Sequence, residues 1–222
     1  MKKVKTTTVI FLAVLILGTA VLAINYYSGI AKEQGTALLK ALKKGELAKF
    51  KKLLESGANP NSVFGRNDWV MGMTTEKGKI AYLKLAVEHG GDVNLNNPHS
   101  SYNRPIFSAL LNNNDEAVKY LIEKGADLET RHCPKCAIDL QYSPASMAAG
   151  FNEYALVSYM IKKKGGLNPL ETKQIIFVIE HHLIVIKSEA NQWRMKVAEY
   201  LRSQGHTVKP KMHSQFEKNQ NE

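Results

Sequence analysis

The chain has 222 residues, 44% hydrophobic and 23% charged, with a formal net charge of +10 at pH 7. That composition excludes a collagen-like or intrinsically disordered chain, and two cysteines are too few for a scaffold built on disulfides. The positive surplus permits an acidic partner without demanding one, because Lys2, Lys3 and Lys5 account for part of it at the extreme N-terminus.

The N-terminus reads MKKVKTTTVIFLAVLILGTAVLAINYY: a basic start, then an apolar run from Val9 to Ile24. Two readings of residues 1–30 stay open. Val21-Leu22-Ala23 offers small residues to a signal peptidase, and residues 6–24 are just long enough to span a bilayer as an anchor with the lysines inside. Both carry the remainder across a membrane. The absence of an N-x-S/T sequon leans towards a bacterial periplasm, either soluble there or held at the inner membrane.

Beyond it, three blocks recur: Gly57-Ala58-Asn59-Pro60-Asn61, Gly90-Gly91-Asp92-Val93-Asn94 and Gly125-Ala126-Asp127-Leu128-Glu129, with glycines 33 and 35 residues apart. Twelve residues before each stands a residue tolerant of a left-handed turn: Gly45, Gly78 and Asn113. A helix fits between each pair of breakers. Its apolar face recurs in register: Phe50, Leu83 and Val118, then Leu53, Ala86 and Leu121, then Leu54, Val87 and Ile122. A fourth copy follows Asn152, with Val157, Met160 and Ile161. A second helix is expected ahead of each. Arg104-Pro105 and Ser143-Pro144 open two of them, Thr36 to Leu42 is a looser version, and Trp69 to Thr75 a poor one.

This pattern resembles the ankyrin repeat, whose unit opens T-P-L-H-x-A, turns at a glycine, adds a second helix and ends in G-A-D-V-N before a finger-like loop. The resemblance implies an all-α solenoid of about four to five helix-turn-helix units with finger loops, preceded by an N-terminal hydrophobic helix. The repeat domain is placed at 31–205, with units near 36–68, 69–103, 104–142 and 143–170. A C-terminal cap is placed at 171–205 and a polar, frayed tail at 206–222. Within the cap, Gln192 to Gly205 keeps an inner face of Val197, Ala198 and Leu201, while Glu171 to Glu189 reads as an over-long packing helix.

The fingers lengthen along the array. Gly57 to Trp69 spans 12 residues, Gly90 to Arg104 spans 14 and Gly125 to Ser143 spans 18. The third holds both cysteines, Cys133 and Cys136. A local disulfide stiffening the loop fits an oxidising compartment, while free thiols, a zinc site completed by histidines and a catalytic dithiol remain open. His181 and His182 are adjacent and diverge by about 100° on a helix, so they do not converge on one ion. No catalytic or phosphate-binding motif stands out, and no cofactor is expected.

A row of cationic and aromatic residues on successive fingers forms the expected partner site: Arg66, Trp69, His99, Tyr102, Arg104, Arg131, His132, Lys135 and Tyr142. Trp69 is equally readable as core. The natural partner of such a row is an acidic protein surface, not nucleic acid, and no obligate homo-oligomer is expected. A short, basic, exported array is similar to the periplasmic ankyrin immunity proteins paired with type VI secreted lipase effectors. That likeness implies a stoichiometric inhibitor that binds a phospholipase and is not itself an enzyme. The alternative is a periplasmic scaffold for a resident enzyme or envelope protein.

Overall fold

The computed structural model describes residues 2–133, 135–182 and 188–211, and of residues 2–16, 18, 24 and 139 the backbone only. Every regular element among them is helical; the one extended pairing is an isolated antiparallel bridge between Val63 and Trp69. The helices are α1 (Lys2–Lys44), α2 (Leu47–Glu55), α3 (Val70–Met73), α4 (Ile80–Glu88), α5 (Pro105–Leu111), α6 (Asp115–Glu123), α7 (Pro144–Gly150), α8 (Tyr154–Lys164), α9 (Pro169–His181) and α10 (Glu189–Ser203).

They pair as hairpins. Gly45 and Gly78 turn the chain at φ 73° and 79°, and Asn113 and Asn152 do the same at 50° and 64°, so the breakers fall where the register places them. The first helices α1, α3, α5, α7 and α9 stack in that order, α2, α4 and α6 form a parallel row, and α8 packs on α10. The apolar face is then enclosed: Phe50, Leu83, Val118, Leu121 and Val157 are all 0% exposed. In the fifth pair Val197, Ala198 and Leu201 are buried and Arg202 is exposed.

The recurrent G-A-D/N-x-N block has a physical cause. The Oδ1 atoms of Asn59, Asp92 and Asp127 accept the backbone N–H two residues on, which shapes each loop. Asn61 and Asn94 then reach the following repeat. Asn61 Nδ2 donates to Gly90 O at 2.9 Å while its Oδ1 accepts from Asp92 N at 2.7 Å. Asn94 repeats this with Gly125 O at 3.0 Å and Asp127 N at 2.8 Å. At the third position Glu129 replaces asparagine, and its carboxylate instead meets Lys164 Nζ at 2.6 Å and Asn168 Nδ2 at 2.9 Å.

Three expectations need correction. Residues 1–30 do not form a separate helix, because α1 runs without a break into the first helix of the first repeat. The apolar run Val9–Ile24 falls mainly on side chains outside those described, and among the described residues no helix is long and apolar enough to cross a membrane. The packing helix expected over Glu171 to Glu189 ends at His181, because His182 leaves the helix with an extended backbone; residues 183–187 lie outside the described residues. The segment from His206 is not frayed at its start. Val208 is buried, Arg202 donates to Val208 O, and Lys209 N and Lys211 N donate to Glu180 Oε1 and Ile179 O. Residues 212–222 lie outside the described residues. The poor first helix of the second repeat is a single turn, α3, with the Trp69 ring packed against its Gly72. A Cβ at Gly72 would overlap the Trp69 ring.

Leu121→Ala is expected to cost about 2–5 kcal/mol through the cavity it leaves, and Asn94→Ala about 1 kcal/mol, because the two backbone groups it pairs are exposed and water can take its place. Urea denaturation of both variants beside the parent chain checks the order of the two costs.

Candidate functional site

The first helices line one side of the array, and two depressions open there. The larger, about 530 Å³, lies between α7 and α9. Met147, Phe151, Leu170, Phe177 and Val178 supply its apolar wall, and Lys173 and His182 its polar edge. Phe151, the residue that ends α7, and Phe177, on α9, remain 45% and 59% exposed. No carboxylate lines this groove among the described residues. The smaller, about 400 Å³, lies between α3 and α5 and includes Arg66, Trp69 and Glu76. Tyr102 borders both.

The wall between them is an aromatic stack. His132 lies between Tyr102 and Tyr142, with ring centroids 5.2 and 5.4 Å away and planes within 14° and 19° of parallel, while Phe107 meets it edge-on at 6.0 Å. Tyr142 N donates to His132 Nδ1 at 2.8 Å, so that nitrogen accepts and the neutral ring carries its proton on Nε2. Burial pushes the imidazole below its ordinary value of 6.5, partly offset by the Tyr142 carbonyl 3.3 Å from Nδ1, which favours the protonated ring. A neutral imidazole is the form that stacks here without an unpaired charge in an apolar wall.

Residues 38–132 match the family model for ankyrin repeats, in three copies. This segment is an ankyrin-repeat array. A search of curated proteins finds no match to the chain. Beyond His132 the helical stacking is continued by the pairs α7/α8 and α9/α10, and the larger groove falls in this continuation. Ankyrin repeats are typically non-catalytic protein-interaction modules. Among the described residues no group of three or more His, Cys, Asp or Glu could hold a metal ion.

The nine residues expected to form one row on the ankyrin fingers do not do so. Trp69 is 3% exposed and belongs to the core, seated on Gly72. His132 is 8% exposed inside the stack. Arg104 is half-buried and donates to Asn94 O, and Arg131 to Gln141 O and Asn168 Oδ1, so both guanidinium groups brace loops. Arg66, His99 and Lys135 are exposed. Only Tyr102 and Tyr142, half-buried, border the groove from the expected set with part of their rings open. The groove lies on the helices behind the fingers.

Cys133 and Cys136 are joined as a disulfide, their Cα atoms 5.4 Å apart. His181 is exposed and stacks on Phe177 at 4.2 Å; His182 is half-buried, borders the groove and gives its carbonyl to Arg194 Nη1 at 3.0 Å. The residues that sequence reasoning missed are Phe151, Lys173 and Phe177. Phe177 lies in an apolar stretch where a periodic face is hard to read, and Phe151 stands in the turn before Asn152, where apolar periodicity gives no signal.

His132 yields a pH prediction. Its folded-state value lies below 6.5, so the unfolded chain binds the extra proton first. The stabilisation is complete above pH 6.5 and is lost as pH falls from there through the lowered folded value. Denaturant midpoints of the parent chain and His132→Phe are therefore expected to converge, or cross in the variant's favour, as buffer pH is taken from neutral to mildly acidic.

Proposed function

We propose that this chain is an exported ankyrin module that binds a protein partner through the groove between α7 and α9 and acts by occupancy, with no turnover of its own. The observation that carries the reading is the pair Phe151 and Phe177, 45% and 59% exposed around an apolar groove edged by Lys173. Large apolar side chains held open on rigid elements are the usual mark of an interaction site. A rigid array loses little conformational entropy on docking, so such anchors translate efficiently into affinity. Lys173, the absence of a lining carboxylate among the described residues and the chain's +10 charge favour a partner that is apolar at its centre and acidic at its rim.

The narrower reading is an immunity protein in the periplasm that neutralises a secreted phospholipase effector. It is supported by the likeness in architecture, by the basic and apolar N-terminus expected to carry the domain across a membrane, and by the positive charge. On this reading the partner is encoded beside the present chain, and deletion harms cells only when that lipase is delivered.

The test combines recovery and inhibition. The intact chain, expressed in its own cells, is purified with whatever protein it retains, and a lipase encoded beside it is assayed with increasing amounts of the chain. Inhibition is expected to be complete at equal molar amounts. Phe177→Ser with Lys173→Glu is expected to weaken binding by about 10- to 100-fold while leaving the thermal midpoint close to the parent's, because both side chains are exposed. Recovery of a resident envelope protein with no effect on any lipase would favour the scaffold reading instead.

A further inference from the structure

The groove between α7 and α9 is not uniform along its length. Its α9 side begins with Leu170 and Lys173 and ends with Phe177 and Val178, a run of about 12 Å at 1.5 Å per residue. Gln174 Nε2 donates to Gln141 O at 3.3 Å, so the first half of α9 stands beside the start of α7. Lys173 therefore shares one end with Tyr142 and Ser146, while Phe151, Phe177 and Val178 line the other, with His182 beyond them.

Lys173 is exposed and makes no ion pair among the described residues. The carboxylates of its own helix are engaged elsewhere. Glu171 is buried against Lys164, and Glu180 Oε1 accepts from Lys209 N at 2.9 Å; neither lines the groove. One cation thus stands over an apolar recess of about 530 Å³, a volume within the range of small-molecule sites.

We propose that this groove is also a site for a single-chain amphipathic anion, a fatty carboxylate whose head pairs with Lys173 and whose tail lies against Met147, Phe151 and Phe177. A neutral apolar molecule would leave the lysine unused, and a cationic one would be repelled by it. A phosphate head is matched by several converging donors, whereas one lysine matches one negative charge. A bilayer is too flat to fill a recess between two helices, so the ligand is a free chain. Binding of this ligand goes beyond the protein-partner reading; its consequence, that the ligand and the partner exclude one another, rests on that reading.

The test uses the full chain, and dodecanoate carrying a photoreactive diazirine in its tail as the probe, below the concentration at which it forms micelles. The label is expected on peptides holding Phe151 and Phe177, and unlabelled dodecanoate is expected to displace it. Dodecanoate is expected to bind about 5-fold more tightly than dodecyltrimethylammonium, with the preference reversed in Lys173→Glu. Octanoate is expected to bind about 10-fold more weakly than dodecanoate, because four fewer methylenes are buried. Phe177→Ser is expected to weaken binding by about 10-fold at a thermal midpoint close to the parent's, and Leu47→Ser, exposed on α2, to leave it unchanged. Label confined to the N-terminal apolar run, equal affinity for the anionic and cationic probes, or binding only once micelles form overturns the proposal. These outcomes need no protein partner, so they leave the protein-binding reading standing. If dodecanoate binds as expected but does not compete with the recovered partner, the partner does not use this groove, and that reading fails alone.

Discussion

Asn61 and Asn94 each give both ends of a side-chain amide to the backbone of the next repeat. A single helical hairpin cannot cover its own apolar face, so the array exists only if successive hairpins stay in register. Burial of Leu83, Val118 and Leu121 supplies the attraction, but apolar contact is non-directional and would tolerate sliding. The asparagine rungs are directional. They set each loop at a fixed height on its neighbour, and the fingers inherit that spacing. Asn97 extends the same arrangement into the loops: its buried Nδ2 donates to Gly65 O and Arg66 O of the preceding finger.

The C-terminal end uses charge where the earlier repeats use amides. Glu129 meets Lys164, and Lys164 also pairs with the buried Glu171, whose carboxylate caps α9 together with Asn168. Lys164 holds the Glu129 carboxyl below its usual range. Further on, Arg194 is 0% exposed and joins three segments through Asn191 Oδ1, His182 O and Lys211 O. Burial lowers its own pKa, and nearby Tyr154 is pushed up to about 12, so at neutral pH the phenol stays neutral beside the cation. A buried guanidinium met by carbonyls is directional in the same sense as the asparagine rungs, and it anchors the segment leading to Lys211 against α9 and α10.

Function follows from that rigidity. The aromatic stack of Tyr102, His132 and Tyr142 is at once the wall of the α7–α9 groove and the base of the third finger. The surface around Phe151 and Phe177 is therefore carried by the same packed unit. Under the proposed function, that surface would need no folding on contact with a partner.

Local sequence was sufficient for the hairpins. Left-handed turns at Gly45, Gly78, Asn113 and Asn152, and apolar faces repeating through Phe50, Leu83, Val118 and Val157, depend on backbone sterics and helical periodicity, which short stretches determine. The site was not legible in the same way. Whether Trp69 is anchor or core, whether Arg104 and Arg131 reach outward or brace a loop, and whether Phe177 is covered or open depend on which residues of other repeats stand opposite them. Gly72 decided the first, the carbonyls of Asn94 and Gln141 the second, and the gap between α7 and α9 the third. Exposure is a property of the stack as a whole, so the sequence by itself determined the repeating unit, and only the tertiary structure decided which surface that unit leaves free.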